Sequence, residues 1–299
     1  MKNFVLIFTL FAIAAGAQTN RFIYEYQYIP NINEKDTIRK EMMVLDVSKN
    51  GSRYYSHDRY VQDSIMKADF DKQISMGSNN FKMNRNERLG KINYQVLKSY
   101  PDFKTFLISS IGQDKYKILE DEKLTWKILP ETQKIGEYEA QKATASFGGR
   151  AWIAWFSPNI PFQDGPYKFH GLPGLIVKAE DATASHIMIL VANKKIEGKG
   201  FDTEIKAPGM TAGIFDRKEI EVDEKKFKKI WQDYLNDPAK GMREMMMKNS
   251  AEHQVVVRMK TSDGRELTNM NEIYRNMESR VKEAEAKNNN KIEPSLFSK

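Results

Sequence analysis

The sequence predicts a mainly β fold of α+β character: a curved antiparallel sheet, forming an open-barrel or sandwich-like core, with C-terminal helices packed on it. Three observations predict it. Apolar and polar residues alternate with period two through much of residues 20–191. Turn chemistry recurs between these runs every ten to fifteen residues, too close for a helix to intervene, so the strands form a meander and not βαβ units. After Asp223 the apolar spacing changes to that of a helix.

In order, residues 22–29 (FIYEYQYI) alternate aromatic and polar side chains, a half-buried strand. Residues 42–47 (MMVLDV) form the next, closed by the Asn50-Gly51 turn signal, and residues 52–61 continue as a strand bearing tyrosines. Residues 63–90 read as a short helix and a loop. Strands follow around Tyr94 and Val96; Thr105 and Leu107; Tyr116 and Ile118; Leu124, Trp126 and Ile128; and Ala143 to Phe147. Turns are expected at Pro101-Asp102, Gly112-Gln113, Pro130-Glu131, Gly136 and Gly148-Gly149. AWIAWF (151–156) and HIMILVA (186–192) are apolar on both faces, so both are expected to be central or covered on both sides. Asp223 caps a helix whose Phe227, Ile230, Trp231 and Tyr234 share one face, and Pro238 opens a second helix. Residues 254–259 (QVVVRM) give a late strand, and from Met270 a charged, Asn-rich helix and tail are expected to fray.

The N-terminus reads as a secretory signal peptide over 1–17. Lys2 is followed by a nearly unbroken apolar run to Ala15 and then the small residues Gly16 and Ala17. The expected organisation is therefore a signal peptide at 1–17, a β core at 18–200, and a helical segment of the same domain at 201–299. The expected location is the periplasm of a Gram-negative cell, with no transmembrane segment in the mature chain. The 299 residues contain no cysteine, which excludes disulfides, thiolate metal sites and cysteine nucleophiles. The net charge of +7 is not gathered into a basic stripe with interleaved aromatics, so nucleic acid is not an expected partner.

Catalytic signatures are scarce. The four histidines, His57, His170, His186 and His253, lie at no metal-binding spacing. Ser64 and Lys67 match SxxK, and Lys260-Thr261-Ser262 resembles a partner fragment, at a density chance alone supplies. Met242, Met245 and Met246 form a soft-ligand group that could hold Cu(I), although a helix face packed on the core explains them better. No metal or cofactor site is assigned.

Residues 157–175 (SPNIPFQDGPYKFHGLPGL) stand apart, with four of the ten prolines and three of the glycines in a connection rich in large apolar side chains. Such a loop should find burial, and its prolines reduce the cost of ordering it. Leu172-Pro173-Gly174-Leu175 fits a type II turn that brings the two leucines together. Asp164, Lys168 and His170 are the candidate ligand-facing groups.

Residues 151–176 resemble the signature of the GLPGLI family of exported Bacteroidota proteins. The matching positions are Ala154, Trp155, Ile160, Pro161, Gly165, Pro166, Phe169, Gly171, Leu172, Pro173, Gly174, Leu175 and Ile176. Trp152, Ile153, Phe156 and Ser157 depart mildly from the pattern. WKILPETQKIGEYEAQKA (126–143) is similar to the family's lead-in, and Ile292-Glu293 to its usual finish. The resemblance implies export and carries no activity, cofactor or catalytic residue. It also implies candidate O-glycosylation at Thr37 and Ser64, within Asp-Thr-Ile and Asp-Ser-Ile. The expected function is a non-enzymatic binding or structural module of the cell envelope, using a sheet face and the 157–175 loop toward a protein or an apolar small molecule. The alternatives are a periplasmic lipid or apolar-ligand carrier of LolA-like shape, a hydrolase of unrecognised type, and methionine-based copper binding.

Overall fold

Strand β1, Gln18–Tyr28, joins two meanders into one sheet. On one side it pairs with β2 (Arg39–Ser48), followed outward by β3 (Gly51–Ser56), β4 (Gln95–Ser99), β5 (Thr105–Ile111) and β6 (Asp114–Leu119). On the other it pairs with β11 (His186–Glu197), followed by β10 (Leu175–Asp181), β9 (Arg150–Ser157), β8 (Tyr138–Phe147) and β7 (Lys127–Ile135). A short β12, Ile220–Asp223, adds in parallel to β6, and every other pairing in this sheet is antiparallel. The twelve strands form one open sheet with helices packed on it, the mainly β architecture the alternation predicts. The computed structural model describes residues 18–76, 90–112, 114–197, 219–249, 259–261 and 264–297. The signal-peptide reading, residues 254–258 of the expected late strand, and Ser262 lie outside the described residues; Met259–Lys260 does form a two-residue strand, β13, against β14, Glu266–Leu267.

The period-two pattern sorts the side chains. Phe22, Leu45, Tyr54, Val96, Leu107 and Ile118 sit at successive partner positions, all buried on one face, here the inner one. Trp152, Ala154, Phe156, Met188 and Leu190 continue that face across the second meander. On the outer face, Val44 and Tyr55 are covered where helix α1, His57–Ser75, packs against β2 and β3. Helix α2, Glu224–Asn236, places Phe227 in the core with Ile230, Trp231 and Tyr234 packed beside it, as the spacing predicts. Its N-cap is Asp223, whose side chain accepts from the Lys226 amide at 2.7 Å. Helices α3 (Lys240–Asn249), α4 (Met270–Lys287) and α5 (Pro294–Phe297) follow.

Several expectations are corrected. β3 stops at Ser56 because Ser56 Oγ accepts from the Arg59 amide at 3.1 Å and starts α1, so residues 57–61 are helical and not strand. Pro130-Glu131 lies inside β7 instead of turning it. β7 is an edge strand, which tolerates a missing donor, and its register slips between Ile128 and Thr132. β11 is central yet open on one side: Met188 and Leu190 are buried, Ile187 and Ile189 half-buried, and Val191 is 52% exposed. The tail does not fray. Asn290, Ile292, Glu293 and Leu296 are all buried.

Candidate functional site

The loop between β9 and β10 leaves the ends of two interior strands and lies across the sheet's inner face. Its neck is closed by the Leu175 amide donating to the Ile160 carbonyl at 3.0 Å and the Ile176 amide donating to the Asp164 carbonyl at 3.0 Å. An isolated bridge between Asp164 and His170 ties the next level. Tyr167, Phe169, Leu172, Leu175 and Ile176 are fully buried, with Phe169 edge-on to Trp126, Phe147, Trp152 and Tyr167. The type II turn is corrected. The Gly174 amide donates to the Leu172 carbonyl at 2.8 Å, the three-residue bond of a γ-turn centred on Pro173. Glycine is required at 165 and 174 by close approach. A Cβ on Gly165 would lie 2.8 Å from Ile176, and one on Gly174 2.6 Å from the Ser157 carbonyl carbon. Trp155 instead faces outward beneath Lys142, whose ammonium lies 5.9 Å from the ring centre.

Two buried lysines hold the loop in place. Lys98, on β4, is six strand spacings from β9, roughly 29 Å along the sheet at about 4.8 Å per strand. The sheet curls so far that its ammonium reaches the loop and donates to the carbonyls of Gly165 at 2.8 Å, Tyr167 at 3.0 Å and Phe169 at 3.2 Å. Asp164 pairs with it at 2.5 Å; Lys98 and Asp164 side chains are 0% and 1% exposed. Asp164 also accepts from the Tyr100 hydroxyl and the Gly165 amide. Burial lowers the Lys98 pKa, and the Asp164 charge opposes that shift.

Lys168 forms the second anchor. Its ammonium pairs with Glu293 at 2.7 Å and with Glu120, while the Tyr167 hydroxyl donates to Glu293 at 2.5 Å. Burial pushes the Lys168 pKa down, but Glu293 and Glu120 outweigh it and the net shift is upward. Glu224, the first residue of α2, completes the cluster: carboxylate oxygens of Glu120, Glu224 and Glu293 lie within 4.8 Å of one another. The residues could ligate a cation by type, but the Lys168 ammonium already pairs with two of the three.

The structure thus brings Asp164 and Lys168 to the interior, each ion-paired, and neither faces an open surface. His170 is half-buried at the rim, stacked on Phe103 with ring centres 4.7 Å apart, and its carbonyl accepts from the Trp126 indole at 2.8 Å. Burial and the Lys98 charge press its pKa down to about 4, so it is neutral at pH 7. Thr37 and Ser64 are exposed, the former before β2 and the latter on α1. Met242, Met245 and Met246 lie half-buried on α3.

Residues 149–178 match the model of a family described as "Protein of unknown function (Porph_ging)", an uncharacterised family found in Bacteroidota such as Porphyromonas. The match covers the loop and its two flanking strands, about a tenth of the chain. No curated protein matches. Two solved structures, of PNGF-II in C2 and P21 space groups, are similar at 15% and 14% identity with TM-scores of 0.44 and 0.42. The similarity covers 71% of this chain and 32% and 33% of theirs, so the chain spans about a third of their length. Likeness at this level carries no functional argument.

Proposed function

We propose that the chain is an exported cell-envelope protein of the GLPGLI type, a non-enzymatic binding module in which the 157–175 loop is an internal strut and the outer sheet face is the contact surface. The observation that carries this reading is the uneven coverage of the sheet. Outer-face residues of β2 and β3 lie beneath α1, whereas Ile153, Ile187 and Ile189 are half-buried and Val191 exposed across β9 and β11. These aliphatic side chains alternate with Glu25, Gln27, Lys178 and Glu180 at their partner positions, a mixed apolar and charged face that suits a protein partner. Export to the periplasm is supported by the leader-like first seventeen residues, and no helix among the described residues is long and apolar enough to cross a membrane.

The carrier reading has less support, because the inner face on which an apolar ligand would rest is filled by Tyr167, Phe169, Leu172 and Leu175. The hydrolase reading calls for a titratable group in a cleft, and Asp164 and Lys168 are sealed in ion pairs.

The test is native mass spectrometry of protein purified from its own envelope, with Ile189→Lys as the variant. The expected result is a co-purifying protein with the wild type that the variant loses, while the melting temperature stays within about 2 °C because the position is half-exposed. Equal recovery of the partner by the variant sinks the assignment of this face.

A further inference from the structure

Residues 288–297 run from the end of α4 back over the open end of the sheet as a strap. Asn290 anchors it, its amide donating to the Pro30 carbonyl at 3.0 Å and its Nδ2 to the Ile29 carbonyl at 2.8 Å. Arg150 Nε donates to the carbonyls of Lys291 at 3.1 Å and Ile292 at 3.2 Å while Nη1 holds Asp181 at 2.9 Å. The Ser295 amide donates to the Gly148 carbonyl at 3.2 Å, and a Cβ on Gly148 would lie 2.6 Å from Glu293. Leu296 is buried, and Phe297 lies edge-on to Phe227 and Trp231 of α2 at 5.9 and 5.4 Å. The strap therefore connects the Gly148-Gly149 turn, the 157–175 loop and α2.

Its only carboxylate enters the charge cluster. Around Glu224 stand Glu120 just past β6, Lys168 from the loop, Glu293 from the strap and Lys228 on its own helix at 3.6 Å, while Asp121, Lys225, Lys229 and Asp233 line a surface depression beside it. Glu224 Oε1 is buried with no donor from the protein. Carboxylate oxygens of Glu120 and Glu224 lie within 4.8 Å of each other, and carboxylates this close repel unless they share a proton. Without it, three carboxylates share the buried Lys168 ammonium and the more exposed Lys228 ammonium, 3.6 Å from Glu224.

We propose that the strap is a proton-controlled latch: a proton shared by Glu120 and Glu224 keeps the strap and α2 closed on the loop, and loss of that proton loosens both. The direction follows from linkage. Burial first, then contact with Glu120, raises the Glu224 pKa to about 7 from the ordinary 4.5. The closed state binds the extra proton between these values, so closure is favoured most at the acid end of that window and weakens as pH rises through it. Two titratable groups beneath the strap stay out of the window: His186, beneath Asn290, is pressed by burial and Arg150 to about 3, and Asp181 is held below the usual carboxylate range.

Hydrogen exchange of the full-length protein, corrected for the intrinsic pH dependence of exchange, tests this at pH 5 and pH 8. The wild type should lose at least tenfold of its protection over 288–297 at pH 8, and Glu224→Gln, which mimics the protonated form and gives up the partly exposed Lys228 pair along with the repulsion, should keep the same protection at both. A wild-type strap equally protected at both pH values overturns the latch, as does a Glu224→Gln strap that loosens like the wild type.

Discussion

Gly174→Ala is expected to destabilise the protein by about 3–5 kcal/mol, at the severe end of single substitutions. The backbone of Gly174, at φ +150°, already disfavours a side chain, and close approach adds to that. The Gly174 Cα lies against the Ser157–Pro158 backbone, so an added methyl meets a carbonyl that no side-chain rotation can move. Relief requires parting the neck of the loop, where Leu175 donates to Ile160 and Ile176 to Asp164. Five fully buried apolar residues of the loop would shift with it. Pro173→Ala is the control. Pro173 is exposed, and its loss mainly widens the unfolded ensemble, so about 0.5–1 kcal/mol is expected. Urea unfolding of the two variants measures both, and similar small effects for the pair would mean that the approach to Ser157 can relax.

That contrast shows what could be read in advance. The breakers and apolar residues of 157–175 told of a rigid buried loop, because burial of Ile160, Tyr167, Phe169 and Leu172 is dictated by composition alone. The turn type was misread because a type II turn and a γ-turn both accept Pro followed by Gly; the choice is made by the Ser157 backbone, seventeen residues away. The positions of most strands are legible in the alternation, whereas the β1–β11 pairing that joins the two meanders and the parallel β12 are not. Nor is the end of β3, since the tyrosines of 52–61 suit a strand and only the Ser56 cap breaks it. Asp164 and Lys168 stand out as charges among apolar neighbours and are expected to face a ligand, but each is buried in an ion pair instead. The partners themselves lie 66 and 125 residues away in sequence, beyond any local pattern. One clue to Lys98 existed: it falls two residues after the inward Val96, so a lysine occupies a core-facing strand position. Glu293 offered only its place in a segment that resembles the family's usual finish.

Lys98→Met carries the second large effect, an expected loss of about 3–5 kcal/mol, because it leaves the Asp164 carboxylate and three loop carbonyls buried without their common donor. The size follows from what remains and not from what is removed. A methionine fills much of the space of the lysine stem, so cavity formation contributes little. Asp164→Leu alone should cost a comparable amount by stranding the Lys98 ammonium, which keeps only the carbonyls. Combining the two removes both charges. If the anchor behaves as a buried ion pair, the double variant is more stable than the sum of the singles implies by at least 2 kcal/mol. Full recovery is not expected, because the Tyr100 hydroxyl and the Gly165 amide lose Asp164 as their acceptor and the three carbonyls stay unpaired. A double-mutant cycle by chemical denaturation measures the coupling. Strict additivity would mean that Lys98 acts through the carbonyls alone, and that the curl of the sheet onto its loop is held by an ammonium in a carbonyl cage with Asp164 as a bystander.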